Sequence, residues 1–300
     1  MHEPARTSSL LLSLTILVCT AATPSAAQKA LITGSFGNCD AVIHDKLVGA
    51  EWRSPSDCEV KFDAYVREGL TAALQPAIDG LTDQGWRIGR SVEGQSLTSI
   101  PRHTEAKPFQ MTEQQMHQGG AFYVSLGLPE SSPVYERYNQ AAMDAMQKVM
   151  AAAQAGKNPR MDAANEATRA LGENTRIEIS VAINLASQGM SNFKTGHTVR
   201  PLPGGGYTVE VPYMQAPTGG DTTASQRVTF AFLGAWAAAP TSKAEGDGEE
   251  IQVKGNLSMA ATDLMKVQNV RIRIQGGTAQ AQQVLAKINW GALKELMAGK

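Results

Sequence analysis

The chain has 300 residues, of which 27 are Lys or Arg and 28 are Asp or Glu, so its formal net charge is −1 at neutral pH. Proteins that bind nucleic acid through the phosphates usually carry a surplus of basic residues, and this composition has none. Hydrophobic residues make up 42% of the chain, which is ordinary for a globular protein. We therefore expect a folded protein that binds no nucleic acid.

The N-terminus has the features of a secretory signal. Arg6 supplies a positive charge, residues 10–18 form a short apolar run, and Ser25-Ala26-Ala27 offers small residues for cleavage. The run is shorter than the roughly 20 apolar residues that span a bilayer. We expect residues 1–27 to be a signal peptide and residues 28–300 to form a periplasmic or secreted protein without a transmembrane segment.

The three cysteines of the chain can be interpreted in the light of this predicted export. Cys19 follows the apolar run, as a lipidated cysteine would, but Val18 is too large for a lipoprotein signal, so we assign Cys19 to the removed segment. Cys39 and Cys58 remain, and two cysteines in an oxidising compartment most often pair. We predict a disulfide between them. The alternative is a reactive thiol at Cys58, since a helix N-terminus favours the thiolate.

A long amphipathic helix follows the second cysteine. Ser56 and Glu59 have the spacing of a capping box, and six apolar residues within 59–79 recur at helical spacing: Phe62, Val66, Leu70, Ala73, Leu74 and Ile78. Pro76 predicts a kink or an early end. Residues 80–110 mix Gly, Ser, Pro and charge, which predicts short strands and a long loop, and any division of the chain should lie there.

The middle of the chain predicts one strand and two helices. Phe122, Val124, Leu126 and Leu128 alternate in a half-buried strand. Helices over 133–155 and from 158 to about 172 form an antiparallel hairpin, because only a short turn separates them. Met143, Met146 and Met150 lie on one face of the first helix, where they resemble a ladder of Cu(I) ligands, but we interpret them as core packing.

The remaining residues predict mostly antiparallel strands and a final helix. Residues 175–185 alternate as a strand with one polar face, and a β-hairpin has arms at 193–200 and 207–215. Pro212 predicts an edge or an irregular end. Further strands are expected at 227–234, 250–257 and 267–275, with a solvated loop over 239–250. A C-terminal helix carries Val284, Leu285, Ile288, Leu293 and Leu296, and Asn289 starts its second segment.

This order of elements predicts an α+β fold. The mixed, mostly antiparallel sheet should carry the helical hairpin and the N- and C-terminal amphipathic helices. Residues 28–300 are expected to be a single domain, because no repeat or linker divides them clearly.

Local motifs for catalysis or cofactors are absent from the sequence. Glu113 and His117 could share a helix face, but the HExxH pattern of a metal site is missing. The glycine-rich segments "PLPGGGYTV" and "PTGGDTT" lack the endings of a phosphate-binding loop, and no GxSxG nucleophile motif is present. We predict neither a metal nor a cofactor and assign no catalytic residue.

Arg271 and Arg273 are the candidate binding residues. They alternate with Val270, Ile272 and Ile274, so both guanidinium groups point away from the core face of one strand. Two neighbouring guanidinium groups on a sheet could hold a carboxylate or a phosphate. The alternative, which we favour from the sequence, is that they solubilise an exposed face or pair with carboxylates on the next strand.

Three functions remain open at this point. Export, a disulfide and the lack of a catalytic motif favour a non-enzymatic binding or scaffolding protein of the cell envelope, whose partner is an envelope protein or a small ligand. An envelope hydrolase with residues from distant segments is the second. A carrier of lipids or other apolar ligands is the third.

Overall fold

The computed structural model describes ten segments of the chain: residues 52–53, 57–93, 100–101, 122–157, 161–192, 196–214, 226–238, 241–245, 248–258 and 266–299. The predicted signal peptide, Cys39 and the Glu113 and His117 pair lie outside these residues. The backbone of Cys58 is described, but its side chain is not, so the disulfide stays a prediction.

The described residues form five helices and twelve strands. The helices are α1 (Asp57–Thr82), α2 (Pro133–Gln154), α3 (Asp162–Thr175), α4 (Thr278–Lys287) and α5 (Trp290–Ala298). The strands are β1 (Trp52–Arg53), β2 (Arg87–Glu93), β3 (Ile100–Pro101), β4 (Phe122–Gly127), β5 (Arg176–Ile183), β6 (Ser187–Asn192), β7 (Thr198–Pro201), β8 (Tyr207–Met214), β9 (Gln226–Gly234), β10 (Thr241–Glu245), β11 (Gly248–Lys254) and β12 (Asn269–Gln275).

Ten of the strands form one antiparallel sheet. Its order is β10-β11-β6-β8-β9-β12-β5-β4-β2, and β7 pairs with β8 beside the end of β6. The strands β1 and β3 form a separate pair. The α+β prediction is therefore confirmed. No helix in the described part of the chain is long and apolar enough to cross a bilayer.

Helices α1, α4 and α5 cover the first face of the sheet. The six apolar residues that predicted α1 are all buried, and they share one core with Val270, Ile272 and Ile274 of β12 and with the apolar side chains of α4 and α5. The side chain of Asn289 accepts a hydrogen bond from Ala292 N at 3.1 Å and so caps α5 as expected.

The predicted early end of α1 at Pro76 is wrong. The helix continues through Pro76 to Thr82. Pro76 and Ala72, whose carbonyl loses its helical hydrogen bond, are both exposed, so water can satisfy that carbonyl. The buried side chains of Ala77, Ile78 and Leu81 keep the last turns attached to the core.

A second core covers part of the opposite face of the sheet. Phe230 and Phe232 of β9 are buried there with side chains from β6, β8 and β11 and with Trp236. Strand order places β8 and β9 between β6 and β12, yet Gln188 of β6 hydrogen-bonds Arg271 of β12. The sheet therefore curls over its second face, and the central strand β9 is buried on both sides.

Two buried asparagines form the corner between β5 and β6. Asn184 has a left-handed backbone (φ 53°), and its side chain bonds Lys266 O and Gln268 N. The side chain of Asn269 accepts from Leu185 N at 2.9 Å and donates to Leu185 O at 2.8 Å. These bonds fix the turn at which the chain leaves the flat part of the sheet and enters its curled part.

Some boundaries differ from the sequence expectation. Strands β6 and β10 were not predicted. Strand β6 has the polar sequence SQGMSN, and β10 lies in the expected loop, so neither has a clear alternation of apolar and polar residues. Both are ordered by pairing with β11. Helix α3 begins at Asp162 and passes Gly172 to end at Thr175, directly before β5. Pro212 lies at an irregularity of β8, as expected, although β8 is an inner strand.

The helical hairpin projects from the sheet. Helix α2 packs against α3 but has no buried residue of its own, and of the two hairpin helices α3 has the larger contact with the sheet, at β5 and β9. Met143, Met146 and Met150 are exposed by 53%, 39% and 51%. The interpretation of these methionines as core packing is wrong, because nothing in the described structure covers that side of α2.

The face assignment of α4 can be tested by truncation. Leu285 is buried in the first core, whereas Gln282 on the same helix is exposed. Leu285→Ala should lower the free energy of unfolding by about 2 to 5 kcal/mol through lost burial and a cavity. Gln282→Ala should change it by less than about 0.5 kcal/mol. Urea unfolding of both variants checks this, and equal effects would contradict the packing of α4.

Candidate functional site

The second face of the sheet has a polar half beside its apolar core. Every second residue of strands β12, β5 and β4 points to this face, and most of these residues are polar. Residues that are partners across neighbouring strands form rows. One row joins Tyr123, Ser180 and Arg273, and continues to Phe230 on β9. The described residues that the register places on this open face are Arg87, Arg90, Tyr123, Ser125, Arg176, Glu178, Ser180, Ala182, Arg271, Arg273 and Gln275.

Arg271 lies where the open face meets the second core. Its position on β12 is opposite Phe232 of β9 on one side and Ala182 of β5 on the other. The side chain is half-buried, and its Nε has no solvent exposure and no hydrogen-bond partner in the described structure. Nη1 donates to Gln188 Oε1 at 3.0 Å. The only partner described for this cation is thus a neutral amide.

The environment penalises the charge on Arg271. Burial, and after it the like charge of Arg273, lowers the pKa of Arg271 from its ordinary value of 12.5 to about 10. The charged form is the one that burial disfavours, so the folded protein at neutral pH is less stable than it would be with a solvated guanidinium. Because one pKa unit corresponds to about 1.4 kcal/mol, the cost is on the order of 3 kcal/mol.

Arg273 adds a second cation to the same face. Burial lowers its pKa, and the charge of Glu178 offsets part of this effect. Its Nη2 donates to Gln275 Oε1 at 2.8 Å. No carboxylate oxygen within the described segments comes close enough to form an ion pair with either arginine.

Other half-buried arginines of the described chain have carboxylate partners. Arg227 lies 2.8 Å from Glu210 and 3.4 Å from Glu173. Arg169 pairs with Glu166 and Glu173, and Arg67 lies 3.1 Å from Asp63. The fold therefore neutralises its enclosed cations elsewhere, and Arg271 and Arg273 are exceptions.

The expectation that both arginines are solvated surface residues is wrong. The alternation correctly placed them on the face opposite Val270, Ile272 and Ile274, but it could not show that β6 curls over that face. Sequence reasoning also missed Gln188, Tyr123 and Ser180 as neighbours of the arginines. Gln188 lies in a strand without clear alternation, and the cross-strand register is set by tertiary pairing.

The two guanidinium groups of this face suit an anion. A guanidinium presents a planar set of N–H donors that fits a carboxylate or phosphate, and charge-assisted hydrogen bonds strengthen as water is excluded. With a pKa near 10, Arg271 stays protonated at neutral pH and is a poor proton acceptor. The described residues of the open face include no histidine or cysteine.

A second polar cluster ties β11 to the segment before β7. Glu249 accepts hydrogen bonds from Asn192 Nδ2 at 2.9 Å, from His197 N at 3.0 Å and from His197 Nδ1 at 3.0 Å. Burial by itself raises the pKa of Glu249, but the bonds from Asn192 and His197 outweigh it and hold this pKa below 4.5. Every contact described for Glu249 is structural, and the cluster acts as a clamp.

The described residues contain no group of three or more His, Cys, Asp or Glu side chains that could hold a metal ion. Comparisons with protein families, with curated proteins and with solved structures find no match to this chain. The open face is therefore the candidate functional site of the described residues.

The clamp at Glu249 predicts a specific pH dependence. A carboxyl whose pKa is lowered by folding stabilises the protein above its unfolded pKa, and this contribution is lost as the pH falls through the folded pKa. Glu249→Gln should therefore cost about 1 to 3 kcal/mol at pH 7, and its deficit should shrink below pH 4.5. Urea unfolding from pH 7 to pH 3 measures this.

The exposed neighbour Glu250 provides the control. Glu250→Gln should leave the stability at pH 7 within about 0.5 kcal/mol of the wild type. A deficit in Glu249→Gln that stayed constant down to pH 3 would contradict the charge-assisted clamp.

Proposed function

We propose that this chain is a non-enzymatic, exported binding protein that takes an anionic ligand on the open face, at Arg271 and Arg273. The observation that carries the proposal is the guanidinium of Arg271, whose Nε is enclosed without an acceptor and which bonds a neutral amide. A buried charge without a counter-charge lowers stability. An anionic ligand on the open face would supply the missing counter-charge.

The composition of the open face supports binding. Tyr123 and Ser180 offer hydroxyl groups in the same row as Arg273, and the next row carries Ser125 and the carboxylate of Glu178. Guanidinium, hydroxyl and carboxylate groups on one face favour a ligand that has an acidic group and polar substituents.

Export is supported by the sequence. The N-terminal apolar run has the form of a cleavable signal, and the cysteine pair suits an oxidising compartment. A ligand of an envelope protein would be met outside the cytoplasm.

The cysteine pair provides a direct test of the compartment. In protein purified from an exporting host without reductant, Cys39 and Cys58 should be linked, and a loop of this size should contribute on the order of 3 kcal/mol. Intact-mass measurement after thiol labelling in denaturant should show a chain that starts near residue 28 and no labelled thiol. Two labelled thiols, or a retained N-terminus, would contradict the proposal of export.

The stability cost of Arg271 can be measured by substitution. Arg271→Met keeps an unbranched apolar stem and removes the buried charge, so the free energy of unfolding at pH 7 should stay level or rise by up to about 3 kcal/mol. Arg176→Met, which removes an exposed arginine of β5, should change it by less than about 0.5 kcal/mol. Strong destabilisation by Arg271→Met would show that the cation has a charged partner in the protein.

Ligand binding is tested with the same two variants. Phosphate, sulfate and citrate should each raise the thermal midpoint of the wild-type chain and of Arg176→Met. Arg271→Met should weaken binding by at least about tenfold in calorimetry, because a charged hydrogen bond contributes about 1.5 to 3 kcal/mol. Equal binding by Arg271→Met, or no binding by the wild type, would contradict the proposed function.

A further inference from the structure

The projecting hairpin presents a row of thioether side chains to solvent. The described part of the chain exposes eight large hydrophobic residues, and four of them are methionines of the hairpin. They are Met143, Met146 and Met150 on α2 and Met161 at the start of α3. The other four are Val60, Ile88, Val134 and Val199, of which Val134 lies in the first turn of α2. Methionine is thus the main exposed apolar residue of the hairpin.

The methionines do not belong to the seam between the two helices. The half-buried residues of α2 follow a heptad pattern, and they are Tyr135, Tyr138, Ala142, Ala145, Val149 and Ala152. This seam faces α3. Met143, Met146 and Met150 each follow a seam residue by one position, which turns them about 100° around the helix axis. They are therefore not required for the packing of α2 on α3.

Their spacing lets three sulfur atoms converge. Residues three and four apart on a helix are neighbours on one surface, and Met146 lies between the other two. Met143 and Met150 are about 10 Å apart along the axis, so each is about one turn from Met146. Methionine side chains have three rotatable bonds, which allows the outer two to turn toward the middle one.

We propose that Met143, Met146 and Met150 form a surface site for Cu(I). Thioether sulfur is a soft ligand that selects Cu(I) over Zn²⁺ and Cu²⁺, which prefer imidazole nitrogen. Residues 133–175 contain no histidine and no cysteine, so the sulfurs of methionine are the soft donors that the hairpin offers. The site is independent of Arg271 and of the anion proposed for the open face.

The test compares methionine with leucine at the same positions. The triple variant Met143→Leu, Met146→Leu and Met150→Leu keeps the apolar surface and the helix propensity but removes the sulfur. The control triple, Met190→Leu, Met214→Leu and Met297→Leu, removes three sulfurs from buried and half-buried positions. All proteins start at residue 28 and have Cys39 and Cys58 replaced by serine, so that no thiol competes, and circular dichroism checks their folding.

Each protein is titrated with Cu(I) under anaerobic conditions in competition with a chromophoric Cu(I) chelator. The wild-type and control chains should bind one equivalent, which excess Zn²⁺ does not displace. The hairpin triple should bind Cu(I) at least about tenfold more weakly. Loss of a residue that only supports a metal ligand already lowers metal affinity by about 10- to 100-fold, and this variant loses the ligands themselves. If the hairpin triple binds Cu(I) as tightly as the wild type, the proposal is overturned. It is also overturned if no chain binds Cu(I), which is the result expected if the methionines form only an apolar docking surface.

Discussion

The corner at Asn184 and Asn269 is the constraint on which the second half of the fold depends. Both side chains are fully buried and hydrogen-bonded to backbone on neighbouring segments. A buried amide without partners costs several kcal/mol, so each asparagine requires the other strands to be in place. The corner changes the direction of the chain between β5 and β6, which lets β6 face back over β9 and β12. The second core and the position of Gln188 beside Arg271 both follow from this turn.

The same constraint explains why the second face has two different halves. Strand β9 is covered by helices on one side and by the curled strands on the other, so its residues from Val228 to Leu233 are all buried. The curl does not extend over β5 and β4, whose residues on that face are polar or small and half-buried. Arg271 lies at the boundary, where its stem is opposite Phe232 and its guanidinium meets Gln188. At a boundary between an apolar core and a solvated face, a cation can be partly desolvated and still be accessible to a ligand.

Sequence periodicity was sufficient for the elements that bury a regular stripe. The helical spacing of Phe62, Val66 and Leu70 and the alternation of Ile177, Ile179 and Val181 each record a single packed face. Periodicity failed where the environment depends on distant segments. The alternation around Arg271 indicates a face but carries no information about what covers it. Met143, Met146 and Met150 have the spacing of a core stripe, yet burial requires a partner surface, and the described structure supplies none on that flank.

The two proposed sites differ in how they relate to stability. Arg271 is held by a sheet that closes over it, and the depressed pKa shows that the fold tolerates an unfavourable charge there. Natural proteins depart from the rules of stable packing mainly at functional sites, where another requirement keeps the unfavourable residue. The hairpin methionines carry no comparable cost, because α2 packs on α3 through a separate seam. Substitution should therefore separate the two: stability and ligand binding change in opposite directions at Arg271, whereas metal binding changes at the hairpin with stability unaltered.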